Sequence, residues 1–313
     1  MRIRFLECIV AVMAREHVVL AVGVMCVSFA ALLIRLAEAP PLVIAAYRLC
    51  LASIVIVPFG LARSRGQLRD LTWKDVLLMI GAGALLAVHF GLWITSLSYT
   101  SVATSVVLVT ASPIFLAIAS RFLFKQRLSK LAIAGIAVSL AGGVLISYGN
   151  WQLGARPLEG ALLAVGGALA VSGYLLIGQK LRRGTGLLSY TLVVYSSAAV
   201  LLLAAVMFRG YGLTGYSGRT YIMLALLALA PQLVGHSSLN WSLRFVPATL
   251  VAVAVLGEPV GATLWAFLFL HEKPAPAELA GCALILAGIF LAMSKHGAAT
   301  GRRSEALSVE GKS

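Results

Sequence analysis

Apolar runs of about 20 residues recur from one end of the 313-residue chain to the other, separated by short polar or basic turns. As a helix, a run of ~20 apolar residues crosses the ~30 Å hydrocarbon layer of a bilayer. Run length and breakers predict ten such helices, over 17–36, 40–61, 74–97, 101–123, 128–148, 157–179, 186–208, 219–243, 247–270 and 274–295. Pro40, Pro157, Pro247 and Pro274 fall in or beside a first turn, where a missing N–H costs nothing.

The pattern also repeats. Leu20-Ala21-Val22-Gly23 returns as Leu163-Ala164-Val165-Gly166, and Leu32-Leu33-Ile34 as Leu175-Leu176-Ile177, both at an offset of 143 that superposes Tyr47 on Tyr190. After a three-residue slip the offset becomes 146, which pairs Ser96-Leu97 with Ser242-Leu243, Pro113 with Pro259, Gly135 with Gly281 and Gly142 with Gly288. Residues 17–148 and 157–295 are therefore expected to be two five-helix units joined by an external linker, 149–156. An odd number of spans turns the second copy upside down in the bilayer. The expected fold class is all-α integral membrane: ten transmembrane helices as two inverted five-helix repeats, with a binding site near the midplane at their pseudo-symmetry axis. Residues 1–16, two arginines and a short apolar stretch interrupted by Glu7, read as a cytoplasmic amphipathic lead-in. Residues 296–313 read as a disordered cytoplasmic tail.

Composition agrees: 60 % of residues are hydrophobic, 12 % are charged, and the mean hydropathy is +0.97. A net charge of +14 would suit a nucleic-acid binder, but the cations sit in short turns between apolar runs, as topology signals do. With the N-terminus inside, 19 Lys and Arg fall on the cytoplasmic side and five on the other, leaving Arg48 within a helix. That bias predicts a multi-pass inner-membrane protein with both termini cytoplasmic, as an even number of spans requires. Cys8, Cys26, Cys50 and Cys282 lack disulfide or metal spacing, and no metal or cofactor is expected.

Several polar residues lie where lipid should exclude them. Glu258 is 11 residues beyond Pro247, ~16 Å deep at 1.5 Å per residue, too deep for a short side chain to reach water. It is either a neutral acid bonded beside the Pro259 kink, or paired, or facing a wet cavity. Arg48, eight residues beyond Pro40, is ~12 Å deep from the opposite face. It could pair with Glu258, hold a substrate carboxylate, or snorkel outward. Gln232, His236 and Asn240, at i, i+4 and i+8, form one helical stripe, and His89, Trp93 and Ser96 form another in the third span. The repeat alignment sets His89 beside His236. Tyr47 and Tyr190 are repeat equivalents among the aromatics expected near these stripes. Pro113 and Pro259 should bend the fourth and ninth helices at equivalent points, as hinges or as static kinks. Gly135, Gly142, Gly281 and Gly288 read as close-packing faces.

The run Glu258-Pro259, His271-Glu272-Lys273-Pro274, Gly281 and Leu284-Ile285-Leu286-Ala287-Gly288 resembles the C-terminal repeat of the EamA-type family in the drug/metabolite transporter superfamily. Arg35-Leu36-Ala37, Ala39-Pro40-Pro41, Tyr47-Arg48, Pro113, Gly135 and Gly142 resemble its first repeat. The resemblance implies a central cavity lined by spans 1–4 and 6–9, with 5 and 10 peripheral, and export of amino acids, metabolites or small toxicants. There are departures: His271-Glu272 and Lys125-Gln126 stand where family repeats commonly carry Gly-Glu. The first span has no acid before Glu38, unlike the small four-helix members with a glutamate deep in the first helix.

The expected function is export of amino acids or related small amphipathic metabolites by alternating access, with proton coupling or facilitated diffusion both open. The pathway candidates are Tyr47, Arg48, His89, Trp93, Tyr190, Gln232, His236, Asn240 and Glu258. Efflux of cationic drugs is the alternative, which would need Glu258 but not Arg48. An integral-membrane enzyme would need a nucleophile–base pair, metal cluster or phosphate loop, which the sequence does not display, and a scaffold would need a sizeable soluble domain. The expected partners are a small-molecule substrate and the bilayer, not nucleic acid; the oligomeric state is not readable from the sequence, with a monomer favoured.

Overall fold

A computed structural model of the protein describes residues 2–125, 128–148, 153–270 and 273–310, with side chains over 15–125, 128–148, 153–269 and 273–293. Gln126, Arg127, linker residues 149–152, and His271 with Glu272 lie outside the described residues, as do 311–313. Ten helices among the described residues are long and apolar enough to cross a membrane: Arg15–Leu36, Pro41–Arg63, Trp73–Ser96, Val102–Leu123, Lys130–Ser147, Pro157–Leu181, Leu187–Phe208, Gly218–Ser242, Ala248–Phe269 and Pro276–Met293. Each lies within a few residues of its predicted span, and no strand occurs among the described residues.

Local chemistry sets the helix starts. Thr72, Ser101, Ser129 and Ser217 each accept a hydrogen bond from the backbone N–H three residues on, satisfying one of the donors that a helix start leaves free. Pro41 and Pro157 occupy first-turn positions instead. The first helix begins at Arg2 and runs through the expected lead-in into the first span. The last runs Pro276–Glu310 in backbone.

Four spans are not continuous α-helices. The first turns aside at Ser28-Phe29, between Arg2–Val27 and Ala30–Leu36. The fourth splits into Val102–Val109 and Ser112–Leu123, and the ninth into Ala248–Val255 and Glu258–Leu270. Both splits directly precede the two aligned prolines. Pro113 and Pro259 cannot donate to the carbonyls of Val109 and Val255, and their rings crowd those carbonyls, so each helix stops and restarts rather than merely bending. Thr110 Oγ1 donates to the Val106 carbonyl at 2.8 Å across the first break. The eighth span contains a π-helical stretch, Ala228–His236, around Pro231. Its wider turn accommodates a proline ring that a regular turn would drive into a carbonyl.

The most extensive interfaces join span 5 with 10, 3 with 6, 1 with 8, 2 with 7, 3 with 7 and 4 with 6, and span 4 also meets 9. The fifth and tenth meet backbone to backbone. A Cβ added at Gly142 would lie 2.6 Å from the Gly281 carbonyl oxygen, and one at Gly281 would lie 2.6 Å from that of Gly142. Ser139 Oγ donates to the Ile285 carbonyl at 3.1 Å between them. Only 22 % of the tenth span's most apolar window is buried, the lowest share of the ten, which puts this pair at the periphery. Gly142→Leu is expected to lower thermal stability by about 1–3 kcal/mol, the usual cost of overpacking. Gly81→Leu, with nothing within 4 Å of its added Cβ, should leave the melting temperature within a degree or two in the same detergent.

Candidate functional site

Seven spans converge on one internal cavity. Its wall comprises Val27 and Ala30 from the first span, Arg48 from the second, His89 and Trp93 from the third, and Val109, Thr110 and Ser112 from the fourth. Val171, Tyr174 and Leu175 come from the sixth span, His236 and Leu239 from the eighth, and Ala252, Val255 and Glu258 from the ninth. The breaks in the first, fourth and ninth spans all abut this space. The fifth and tenth spans contribute nothing to it. The volume open to water centres is about 40 Å³, or three water positions at roughly 10–15 Å³ each.

Arg48 is wholly buried and dominates the wall. Its Nε donates to Gln232 Oε1 at 2.7 Å, and its guanidinium lies 3.9 Å from the centre of the Phe90 ring. Bond and ring together fix the plane of the cation. Neither Nη1 nor Nη2 has a hydrogen-bond partner. Glu258, 6 % exposed, faces the same cavity but forms no ion pair with Arg48. Among the described residues the only ion pair within 4 Å joins Arg156 to Glu159, at 3.2 Å. Cation and acid thus share a chamber unpaired.

The two histidines meet there. Their ring centres are 6.5 Å apart, and Phe90 lies edge-on to His236 at 5.2 Å. His89 Nδ1 is 2.9 Å from the Gly167 carbonyl, which can only accept, so that nitrogen carries the proton. His236 Nδ1 and Trp93 Nε1 are buried without partners. Of the eleven buried side-chain polar atoms without a partner among the described residues, four belong to Arg48, Trp93 and His236. Orphan polar atoms are rare in folded proteins, and this cluster rings a single cavity.

The remaining candidates divide. Gln232 stands behind Arg48 and orients it. Asn240 does not line the cavity: the Tyr174 hydroxyl donates to its Oδ1 at 2.6 Å, and its Nδ2 donates to Tyr195 Oη at 3.3 Å. The π-helical turn carries Gln232 and His236 but ends before Asn240, so the predicted single stripe is twisted apart. Tyr47 spends its hydroxyl on the Leu213 carbonyl at 2.6 Å, and Tyr190 is buried beside Gly178; neither lines the cavity. Phe90 and Tyr174 were not foreseen, because an aromatic in an apolar span carries no mark of its partner. Arg182 reads in sequence as a topology cation. It is in fact buried, donating through Nε to the Asn240 carbonyl at 2.9 Å and through Nη1 to the Thr185 carbonyl.

Two segments, residues 15–148 and 158–294, each match the profile of the EamA-like transporter family. The chain belongs to that family. This EamA-family protein is a multi-pass membrane transporter. It is 27 % identical over 298 residues to an uncharacterized transporter of Archaeoglobus fulgidus, covering 90 % of this chain and 99 % of the other. A protein of Streptantibioticus cattleyicolor named a probable terminal-alkyne amino-acid exporter is 27 % identical over 267 residues, 83 % of this chain and 85 % of its own. The uncharacterized inner membrane transporter YedA of Escherichia coli is 27 % identical over 230 residues, 72 % of each chain. A solved crystal structure superposes with a TM-score of 0.75 at 20 % identity, over 89 % of this chain and 97 % of the other, a likeness of fold.

Gln232→Met is expected to strip Arg48 of its one hydrogen bond and to lower stability by about 1–3 kcal/mol in reversible denaturation, the cost of an unsatisfied buried donor. Gln232→Glu, which keeps an acceptor in place, should lose less.

Proposed function

We propose that this transporter exports amino acids or related small amphipathic metabolites across the inner membrane by alternating access through the cavity at Arg48. The observation that carries this reading is the fixed, buried guanidinium with two unpartnered nitrogens, set in a wall of aromatic and aliphatic side chains. Such a wall accepts an apolar side chain, and the guanidinium accepts a carboxylate. The relative named as an amino-acid exporter supports the same substrate class.

Two inverted repeats account for the packing. Exchanging spans 1–5 with 6–10 maps the pairs 2 with 7, 4 with 9 and 5 with 10 onto themselves, and maps 3 with 6 onto 8 with 1. A pseudo-twofold relation requires that pattern, the double family match supports it, and five spans per unit invert the second copy. The charge bias supports a cytoplasmic side for both termini. A cavity of only three water positions must widen to admit solute, and the breaks before Pro113 and Pro259 are the hinges where it does so.

Purified protein in proteoliposomes should exchange labelled aromatic or branched amino acids, and Arg48→Ala should reduce that flux at least about tenfold. Wild-type flux in Arg48→Ala, or transport of a quaternary-ammonium dye in place of amino acids, would overturn the reading. Pro113→Ala should let the fourth helix run on, slowing exchange while leaving the affinity in equilibrium binding unchanged.

A further inference from the structure

We infer that the cavity holds its substrate by both ends, Arg48 taking a carboxylate and Glu258 an ammonium, so that the transported solute is a zwitterion with a free amino and a free carboxyl group. This rests on the export reading and adds to it a role for Glu258 and a rule for what is excluded.

The argument starts from which edge of Arg48 is left. A guanidinium offers a planar fork, and carboxylates meet it with two parallel hydrogen bonds either along the Nε edge or at the tip. The Nε edge is occupied by Gln232 Oε1 at 2.7 Å, and one face is covered by Phe90 at 3.9 Å. The tip, Nη1 with Nη2, is the pair without partners. A carboxylate arriving from the cavity therefore docks end-on.

Glu258 cannot be that carboxylate in this arrangement. Arg48 is tethered to the third and eighth spans through Phe90 and Gln232, while Glu258 opens the helix Glu258–Leu270 in the ninth, and no ion pair joins them. No Lys, and no Arg besides Arg48, lines the chamber; its other basic side chains are His89 and His236, and neither forms an ion pair with Glu258. A buried cation and a buried acid that share one low-dielectric chamber without pairing are each costly in the charged form, and each charge is relieved by a ligand charge of the other sign. A zwitterion relieves both. An amine leaves Arg48 unpaired, and an N-acylated acid leaves Glu258 unpaired, so each is rejected by the charge it fails to match. The rest of the wall, including Trp93, Leu175, Leu239 and Val255, favours an uncharged side chain.

The test is counterflow by the full-length protein in proteoliposomes, with labelled L-phenylalanine, L-tryptophan or L-leucine as probe. Competitors are the matched amine, which lacks the carboxylate, and the matched N-acetyl amino acid, which lacks the ammonium. In wild type both analogues should compete at least about tenfold more weakly than the parent. Glu258→Gln should bring the N-acetyl compound to parity with the parent while still excluding the amine, and Arg48→Met should relax the opposite discrimination. Wild-type competition by either analogue within about threefold of the parent overturns the two-ended site while leaving amino-acid export standing. So does a Glu258→Gln protein that loses only the pH dependence of flux and keeps its rejection of the N-acetyl compound, since that is the signature of an acid that carries protons. Because the wild-type series needs no variant, a substitution that fails to fold does not rescue the idea. If none of the three probes exchanges, the export reading falls and the two-ended site with it.

Discussion

The burial of the Arg48 guanidinium constrains everything around it. A cation at this depth is expensive to desolvate, and among the described residues no acid forms an ion pair with it. Its only direct support is one hydrogen bond from Nε and the face of one aromatic ring. That support comes from two other spans, the third and the eighth, so both must be held in register with the second for the cation to be tolerated at all. The π-helical turn at Pro231 serves the same end, since it delivers Gln232 to Arg48 and His236 to the cavity from adjacent turns.

Around this cation the backbone gives way in a regular manner. Interrupted helices are tolerated at membrane depth where they line a cavity or are packed in protein, because polar backbone cannot face lipid. The breaks at Thr110-Ala111 and Leu256-Gly257 follow this rule, with Thr110, Val109 and Val255 all on the cavity wall. Away from the cavity the helices are closely packed and tied together. The fifth and tenth spans pack through glycines with no room for a methyl group, and Arg182 ties the end of the sixth span to backbone carbonyls of the eighth and of the turn that follows the sixth. Gln179 Oε1 also accepts from the Ala248 N–H at 2.6 Å, fastening the sixth span to the start of the ninth.

The number and limits of the ten helices were legible in the chain, because each is specified locally by an apolar run of the right length, a Ser, Thr or Pro at its start, and a polar turn after it. The internal repeat was legible for the same reason, as was the glycine pairing of spans five and ten, which needs only small residues at helical spacing. Depth along a helix is arithmetic, so Arg48 and Glu258 could be set near the same level. Direction around the helix axis was less secure. The stripe of Gln232, His236 and Asn240 assumed 3.6 residues per turn, and Pro231 altered that count.

What only the tertiary structure decided is which buried polar groups satisfy one another and which are left facing space. Partnership depends on distances between spans that lie 184 residues apart in the case of Arg48 and Gln232, and no local pattern encodes them. Hence Tyr47 and Asn240 proved to be spent on structural bonds, Phe90 and Tyr174 entered the site unannounced, and Arg182 moved from the loop to the interior. The sequence by itself determined how many helices cross the membrane, where each begins, and how deep its charges lie. Packing decided that Arg48 and Glu258 share a chamber without touching, because side-chain reach is a few ångströms and only the assembled bundle sets positions that finely.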